Sequence, residues 1–261
     1  MLIANYHTHT TLCRHAKGDM REYVENAVKA GIKELGFSDH APQIFPEEWG
    51  YYSTFRMFPE QTAQYVESVR TLAKEYAADI RILVGFETEY YPALFDAFLE
   101  HIRPFDVDYM ILGQHSLDNE VGSIWCTSPT AKNEDLEKYV SQVLEGLRTG
   151  RFTYLAHPDV LNFTGDEAFY AKEMRRLCLG AKEWKIPLEI NLLGIRDGRH
   201  YPSERFFRIA AECGCIAILG CDAHSPATVA DFASAERATE MAKRLNLPLL
   251  DRISPIPPTR K

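Results

Sequence analysis

The sequence predicts a single α/β domain over residues 1–261, built as an incomplete or distorted (βα)7 barrel of the TIM-like kind. Three observations carry this expectation. The chain has 261 residues, and α/β barrels run to about 250 residues as one unit. Hydrophobic residues make up 46% of it, enough for a substantial core. Short apolar runs alternate with longer amphipathic ones through seven units, with no repeat, linker or low-complexity break. Such alternation places parallel strands inside and helices outside. A doubly wound open sheet is the alternative assembly of the same units.

The first apolar run, Leu2 to Tyr6, is a strand. Asp19 then opens a helix, with Glu22 three residues on as a capping box. Met20, Tyr23, Val24, Ala27 and Val28 recur at helical spacing, and Gly31 ends the helix. Glu34 to Ser38 is the second strand, Gln61 to Glu75 a helix, and Ile80 to Phe86 the third strand. Leu94 to Ile102 is helical and Tyr109 to Leu112 is the fourth strand. Asn133 to Thr149 is a helix closed by Gly150, followed by a fifth strand from Phe152 to Ala156. Asp166 to Trp184 is helical, and Pro187 to Ile190 is the sixth strand. Ser203 caps a helix to Cys213, and Ile216 to Leu219 is the seventh strand. Ser225-Pro226 has the form of an N-cap with proline at the first helical position. The tail from Ser254 to Lys261 is expected to be an extended surface segment. Two long loops, about residues 39–60 and 113–132, follow strands and so belong to the C-terminal face, where such folds keep their sites.

The formal net charge is -8 and no lysine/arginine-rich block interrupts the chain. That argues against broad binding to nucleic acid or anionic membranes. The N-terminal residues lack the basic region and long apolar run of a signal peptide, and no apolar stretch is long enough to span a bilayer. A cytoplasmic protein is expected. The six cysteines, Cys13, Cys126, Cys178, Cys213, Cys215 and Cys221, form no CxxC pair and are expected as reduced thiols in or near the core.

Nine histidines are present, and their placement decides more than their number. His7 and His9 follow the first strand and His15 lies in the same loop. His40 follows the second strand, Glu87 ends the third, His115 follows the fourth and His157 the fifth. Asp222 and His224 follow the seventh. Only His101 and His200 stand outside this set. Any one of these residues is more simply a loop or capping side chain, but six strand ends with metal-binding side chains on one rim are not explained that way. Imidazole nitrogen and carboxylate oxygen suit zinc, manganese or iron(II) better than calcium or magnesium. Nine ligands exceed the needs of one ion and, with a bridging carboxylate, suit two or three. His7 and His9 can reach one ion together only if the strand breaks into a loop there.

Taken as a set, His7-x-His9, Ser38-Asp39-His40, Gly85-x-Glu87, His115, His157-Pro158 and Asp222-Ala223-His224 resemble the polymerase-and-histidinol-phosphatase (PHP) superfamily, over about residues 5–225. The resemblance implies a distorted (βα)7 barrel with a trinuclear metal site at the C-terminal ends of the strands. It assigns His7, His9, Glu87 and Asp222 to one ion. A second ion shares Glu87 and adds His115 and His157, and a third takes His15, His40 and His224. Within the superfamily the chain is most similar to histidinol-phosphate phosphatases. That similarity lies in Cys13-x-His15-Ala16, Ala41-Pro42, Phe55-Arg56-Met57, Glu87-x-Glu89-Tyr90 and the run from Asn191 through Gly194 and Arg196 to Tyr201-Pro202-Ser203. After the fourth strand the chain has Gly113-Gln114-His115, one residue shorter than the family's usual Gly-Ser-Val-His-like run.

The expected reaction is therefore phosphomonoester hydrolysis, with L-histidinol phosphate the favoured substrate. A hydroxide bridging two metals would attack phosphorus in line, because divalent ions pull the pKa of water from about 15.7 toward about 7. Asp222, or His200 through a water, is the candidate proton donor to the leaving alcohol. Arg196, Arg199 and His200, in the donor-rich segment after the sixth strand, are candidate phosphate contacts, with Arg14 and Arg56 beside them. Trp49, Tyr51 and Tyr52 could wall a substrate ring. The oligomeric state is left open. Rival readings are a nuclease or nucleotide phosphatase, a tyrosine-protein phosphatase, an amidohydrolase and a non-catalytic metal-binding module.

Overall fold

Runs such as Glu34 to His40 are buried along their whole length, the pattern of a parallel strand covered on both faces rather than the alternation of a half-exposed one. The computed structural model, which describes residues 2–259, assembles these runs into one parallel sheet in strict sequence order. Its strands are β1 (Ala4–Asn5), β2 (Glu34–His40), β3 (Arg81–Thr88), β4 (Tyr109–Leu112), β5 (Tyr154–Leu155), β6 (Leu188–Asn191), β7 (Ala217–Gly220) and β8 (Leu249–Leu250). The helices are α1 (Met20–Lys29), α2 (Thr62–Glu75), α3 (Phe95–Ile102), α4 (Asn133–Arg148), α5 (Glu167–Glu183), α6 (Leu192–Asp197), α7 (Glu204–Glu212) and α8 (Phe232–Leu245).

The sequential strand order excludes the doubly wound alternative, in which the order reverses at a switch point. The barrel closes between its first and seventh strands. Just past β1, Thr8 forms a parallel bridge with Ala223, just past β7. His9 N donates to Ala223 O at 2.9 Å and Ala223 N to His7 O at 3.1 Å. The two-residue β8 pairs with β7 from the other side. A distorted seven-stranded TIM-like barrel with one accessory strand describes this arrangement. The accessory strand escapes sequence reading because Leu249–Leu250 offers too short a run to show any period.

Inside the barrel, tyrosines fill the lower layers. Tyr109 donates to the Tyr6 carbonyl at 2.7 Å, and Tyr6 donates to Glu34 Oε2 at 2.9 Å. Each buried hydroxyl thus finds an acceptor. Outside, fully buried rings such as Phe37 and Phe86 pack the helices onto the sheet, each burial worth about 1.5–3 kcal/mol.

The helix ends follow their capping chemistry. Asp19 and Glu22 form the expected capping box of α1, Asp166 caps α5 and Ser203 caps α7. Two expectations require correction. Ser225-Pro226 starts only a short 3-10 turn, and α8 begins later, capped by Asp231. The segment after β6, expected as a loop, is the short helix α6, because the Asn191 side chain accepts the Gly194 N–H at 2.9 Å and starts a turn. The tail is also held more closely than expected. Ile256 N donates to Thr153 Oγ1 at 3.0 Å and Arg151 reaches the Pro258 carbonyl at 2.8 Å. Residues 1, 260 and 261, part of the domain and tail expectations, lie outside the described residues. Among those described, no helix is long and apolar enough to cross a membrane.

Candidate metal centre

The nine expected ligands meet at the C-terminal rim, graded in depth. His7, His9, Glu87, His157, His40 and Asp222 are buried. His115 and His224 are partly covered, and His15 is exposed. The set forms a funnel open to one side. His7 and His9 lie beyond the end of β1, where the chain has left the sheet, so both imidazoles turn the same way. Their Nε2 atoms lie 3.6 and 3.1 Å from Asp222 Oδ1.

Glu87 divides the cluster. Its Oε2 faces His7 Nε2 at 3.4 Å, His9 Nε2 at 3.5 Å and His40 Nδ1 at 3.0 Å. Its Oε1 faces His157 Nε2 at 2.7 Å and His115 Nε2 at 3.4 Å. One carboxylate with a different set of imidazoles at each oxygen has the form of a bridge between two ions. It fits only because position 113 is glycine: a Cβ there would stand 2.0 Å from Glu87 Oε1. Further out, His15 and His224 approach through their Nε2 atoms at 2.9 Å. His9, His40 and His224 also present ligand atoms within 4.8 Å of one another. The Cys13 thiol falls within the same distance of ligand atoms of His15 and His224.

Whether these residues fit a metal can be judged from their unmet polar atoms. His7 Nε2, both ring nitrogens of His9, His40 Nδ1, His157 Nδ1 and Glu87 Oε2 are buried without a hydrogen bond. Buried polar atoms normally find partners, so a concentration of unpartnered ligand atoms at one point fits a bound cation. The charges agree. Besides Glu87 and Asp222, three more buried carboxylates back the imidazoles. Glu189 accepts from His7 Nδ1 at 2.8 Å, Glu89 from His115 Nδ1 at 2.8 Å, and Asp39 stands 3.5 Å from His9 Nδ1. Burial opposes ionisation of Glu87, yet the imidazoles of His115, His7 and His40 overcome it and hold its carboxyl well below the usual range. Burial likewise disfavours charge on His9, but Asp222 and Asp39 hold its pKa up at about 9. Burial and the charge on His9 push His224 down to about 3. His7 and His9 are thus the imidazoles that favour a proton at the base of the funnel, where a metal ion would replace it, while burial pushes His40 beside them well down.

Two of the expected ligands sit on unfavourable backbone. His157 has φ +26° and Asp222 φ +47°. His157 also precedes a proline, which favours extended conformations. Holding such residues costs on the order of 1–3 kcal/mol each.

The expected substrate contacts divide. Arg199 borders a cavity of about 540 Å³ above the ligands, lined also by Phe55, Trp125, Asp197 and Tyr201. Arg196 does not line it, because its Nη1 is tied to Asp231 at 3.1 Å. His200 Nε2 is bound to the Val160 carbonyl at 2.8 Å, also away from the cavity. Arg14 donates to the Ser53 carbonyl at 2.6 Å and lies over Phe58. Arg56 is buried between Glu89 and Glu120. Tyr51 bonds Glu120, and with Tyr52 it lines a neighbouring cavity rather than this one. Phe55 and Trp125, their ring centroids 4.9 Å apart, take the place expected for the aromatic wall. Sequence reasoning missed Asp39 and Glu189 as supporting groups. The signal for Glu189 was an acidic residue inside an otherwise apolar strand.

Comparison with known proteins agrees with this geometry. The model of the PHP domain matches residues 5–192. A probable histidinol-phosphatase of Deinococcus radiodurans is 30% identical over 241 residues, covering 87% of this chain and 88% of its own. A probable histidinol-phosphatase of Schizosaccharomyces pombe is 26% identical, covering 84% and 80%. Among solved structures, histidinol phosphate phosphatase from Lactococcus lactis, complexed with zinc, L-histidinol and phosphate, superposes with a TM-score of 0.75 at 20% identity, covering 97% of this chain and 99% of its own.

Proposed function

The chain belongs to the PHP domain family and is a phosphomonoester hydrolase of that family, and on that premise we propose that its substrate is L-histidinol phosphate. The observation that carries the chemistry is Glu87, whose two oxygens face separate sets of imidazoles beneath an open cavity. The ligand assignment is the one the family resemblance implies. In it, His7, His9, Glu87 and Asp222 would hold one ion, Glu87, His115 and His157 a second, and His15, His40 and His224 a third. His40 stands between the first and third, since its Nδ1 faces the same Glu87 oxygen as His7 and His9. Zinc, manganese and iron(II) all suit such donors.

When bound, the ions would supply a water acidic enough to act as the nucleophile at neutral pH, and positive charge against the phosphoryl oxygens. Three divalent ions against Glu87 and Asp222 alone would leave about +4. Asp39, Glu89, Glu189 and Glu120, partly offset by Arg56, lower that to about +1. A phosphate dianion therefore still meets a positive site in a chain of net charge -8. Arg199, at the cavity edge, supplies a planar fork for two phosphate oxygens. Asp222 borders the cavity whereas His200 does not. Burial opposes its ionisation, yet His7 and His9 hold its carboxyl well below the usual range, so it would relay a proton from water to the leaving alcohol rather than hold one at rest. Phe55 and Trp125, set edge to face, offer an aromatic corner for the imidazole of the substrate. A cytoplasmic location goes with this reading, since all six cysteines are buried free thiols of the kind a reducing compartment maintains.

The test is phosphate release by metal-analysed protein from a panel of L-histidinol phosphate, nucleotides, phosphotyrosine peptide and DNA ends, with an amide substrate alongside. The highest kcat/KM is expected for L-histidinol phosphate. A preference for nucleotide or phosphotyrosine would move the substrate within the family, and amide hydrolysis without phosphatase activity would overturn the reading.

A further inference from the structure

Glu189 lies in the middle of β6 with its side chain fully buried. It is too deep to reach a substrate, yet it touches two of the assigned ligands in different ways. Its Oε1 accepts from the ring Nδ1 of His7 at 2.8 Å. Its Oε2 accepts from the backbone N–H of His157 at 3.0 Å. Asn191, one residue beyond its neighbour on the strand, donates to the same Oε2 at 3.0 Å and to Asp222 Oδ2 at 3.1 Å. Space for the carboxylate is left by Gly220, where a Cβ would stand 1.8 Å from Glu189 Oε1.

We propose that Glu189 is a positioning residue that presets His7 and His157 on two sides of the metal centre. The inference rests on the metal-binding reading above. A carboxylate can only accept, so the proton on His7 must sit on Nδ1 at this contact. That fixes the tautomer and leaves Nε2, which has no hydrogen bond of its own, free for an ion beside Glu87 and Asp222. The second oxygen steadies His157 in its left-handed backbone conformation ahead of Pro158, from which its ring meets Glu87 at 2.7 Å. Glutamine at this position would keep the shape but turn an N–H₂ toward one of two donors, so it could serve His7 or His157 but not both.

The experiment compares zinc binding by the parent and Glu189→Gln, each stripped with chelator and titrated against a fluorescent zinc competitor. At least about a 10-fold loss of affinity is expected at one or more sites, with the metal-free variant shown to be folded by a cooperative denaturant transition. Equal zinc affinities in the two folded proteins would overturn the proposal and leave the metal centre standing. A parent that binds no zinc would remove both. A second measurement needs no variant at position 189. Histidine-selective 15N spectra of the zinc-loaded parent should show His7 protonated at Nδ1 and metal-bound at Nε2, and the opposite assignment would overturn the proposal even if Glu189→Gln failed to fold.

Discussion

Arg56 and Glu89 form an ion pair of 2.9 Å in which neither side chain is more than 2% exposed. The same guanidinium also meets Glu120 and the Ala41 carbonyl. Arg56 comes from the loop after β2, Glu89 from just past the end of β3, and Glu120 from the loop after β4. One buried cation therefore ties two rim loops together, and Glu89 passes the constraint to His115 through the 2.8 Å contact with its Nδ1.

Removing that cation leaves two buried carboxylates without their counter-charge, Glu89 held by His115 and Glu120 by the Tyr51 hydroxyl. Breaking one partner of a buried pair costs about 3–5 kcal/mol, so Arg56→Ala is expected to lose that order of stability in urea unfolding of the metal-free protein. Arg56→Lys should recover little, because one ammonium cannot reproduce the fork onto Glu89, Glu120 and a carbonyl. A stable Arg56→Ala protein with a raised KM would instead return Arg56 to the substrate site.

Metal content tests Glu87 directly. Plasma mass spectrometry of the reconstituted parent should find two to three ions per chain, the number its ligand set suits. Glu87 is assigned to two of them, so Glu87→Gln should keep no more than about one, since a neutral amide makes a poor bridge. Glu236→Gln, which alters an exposed carboxylate on α8, should match the parent. Full metal content in Glu87→Gln would contradict the bridging role.

The meeting of the nine candidate ligands was legible because each ends or follows a strand, and a parallel barrel gathers every strand's C-terminal end on one rim. Residue type and position thus carried the information together, as at His7, Glu87 and His157. The groups behind the ligands were less legible. Glu189 and Asp39 are defined by which ring nitrogen they face across the barrel, and no spacing in the chain encodes that. The arginines were legible only as a class. Whether Arg196 or Arg199 turns inward depends on α6, a helix of six residues set by the Asn191 side chain, with Gly194 and Gly198 masking it as a loop. Arg196 lies within α6 and Arg199 beyond its left-handed cap Gly198, and that change of direction separates a contact to Asp231 from a place at the cavity.

The aromatic wall should govern affinity for a ring-bearing substrate. Phe55 and Trp125 both line the cavity, and an aromatic contact is worth about 0.5–1.5 kcal/mol, or about 2- to 12-fold in binding. Phe55→Ala and Trp125→Ala should each raise KM for L-histidinol phosphate by that order, with a smaller change in kcat. For glycerol phosphate, which has no ring, KM should stay near the parent value. Equal losses on both substrates would mean the rings only shape the rim.

The last prediction separates the two arginines of the α6 segment. Arg199 borders the cavity with its Nη1 2.8 Å from the Tyr201 hydroxyl and Nη2 3.3 Å from Asp197. Its guanidinium remains partly exposed and can turn onto an entering anion. A charge-assisted contact of this kind is worth about 1.5–3 kcal/mol, which is about 10- to 150-fold in binding. Arg199→Ala should therefore lower kcat/KM by that order with metal content unchanged. Arg199→Lys should recover only part, because an ammonium lacks the planar fork. Arg196 is engaged with Asp231, the residue that caps α8. Arg196→Ala should leave kcat/KM within about twofold of the parent and cost about 1 kcal/mol of stability or less, as a partly exposed ion pair does. If the kinetic loss fell on Arg196 instead, the guanidinium would have to leave Asp231 when substrate binds, and Asp231→Asn would then raise activity by freeing it.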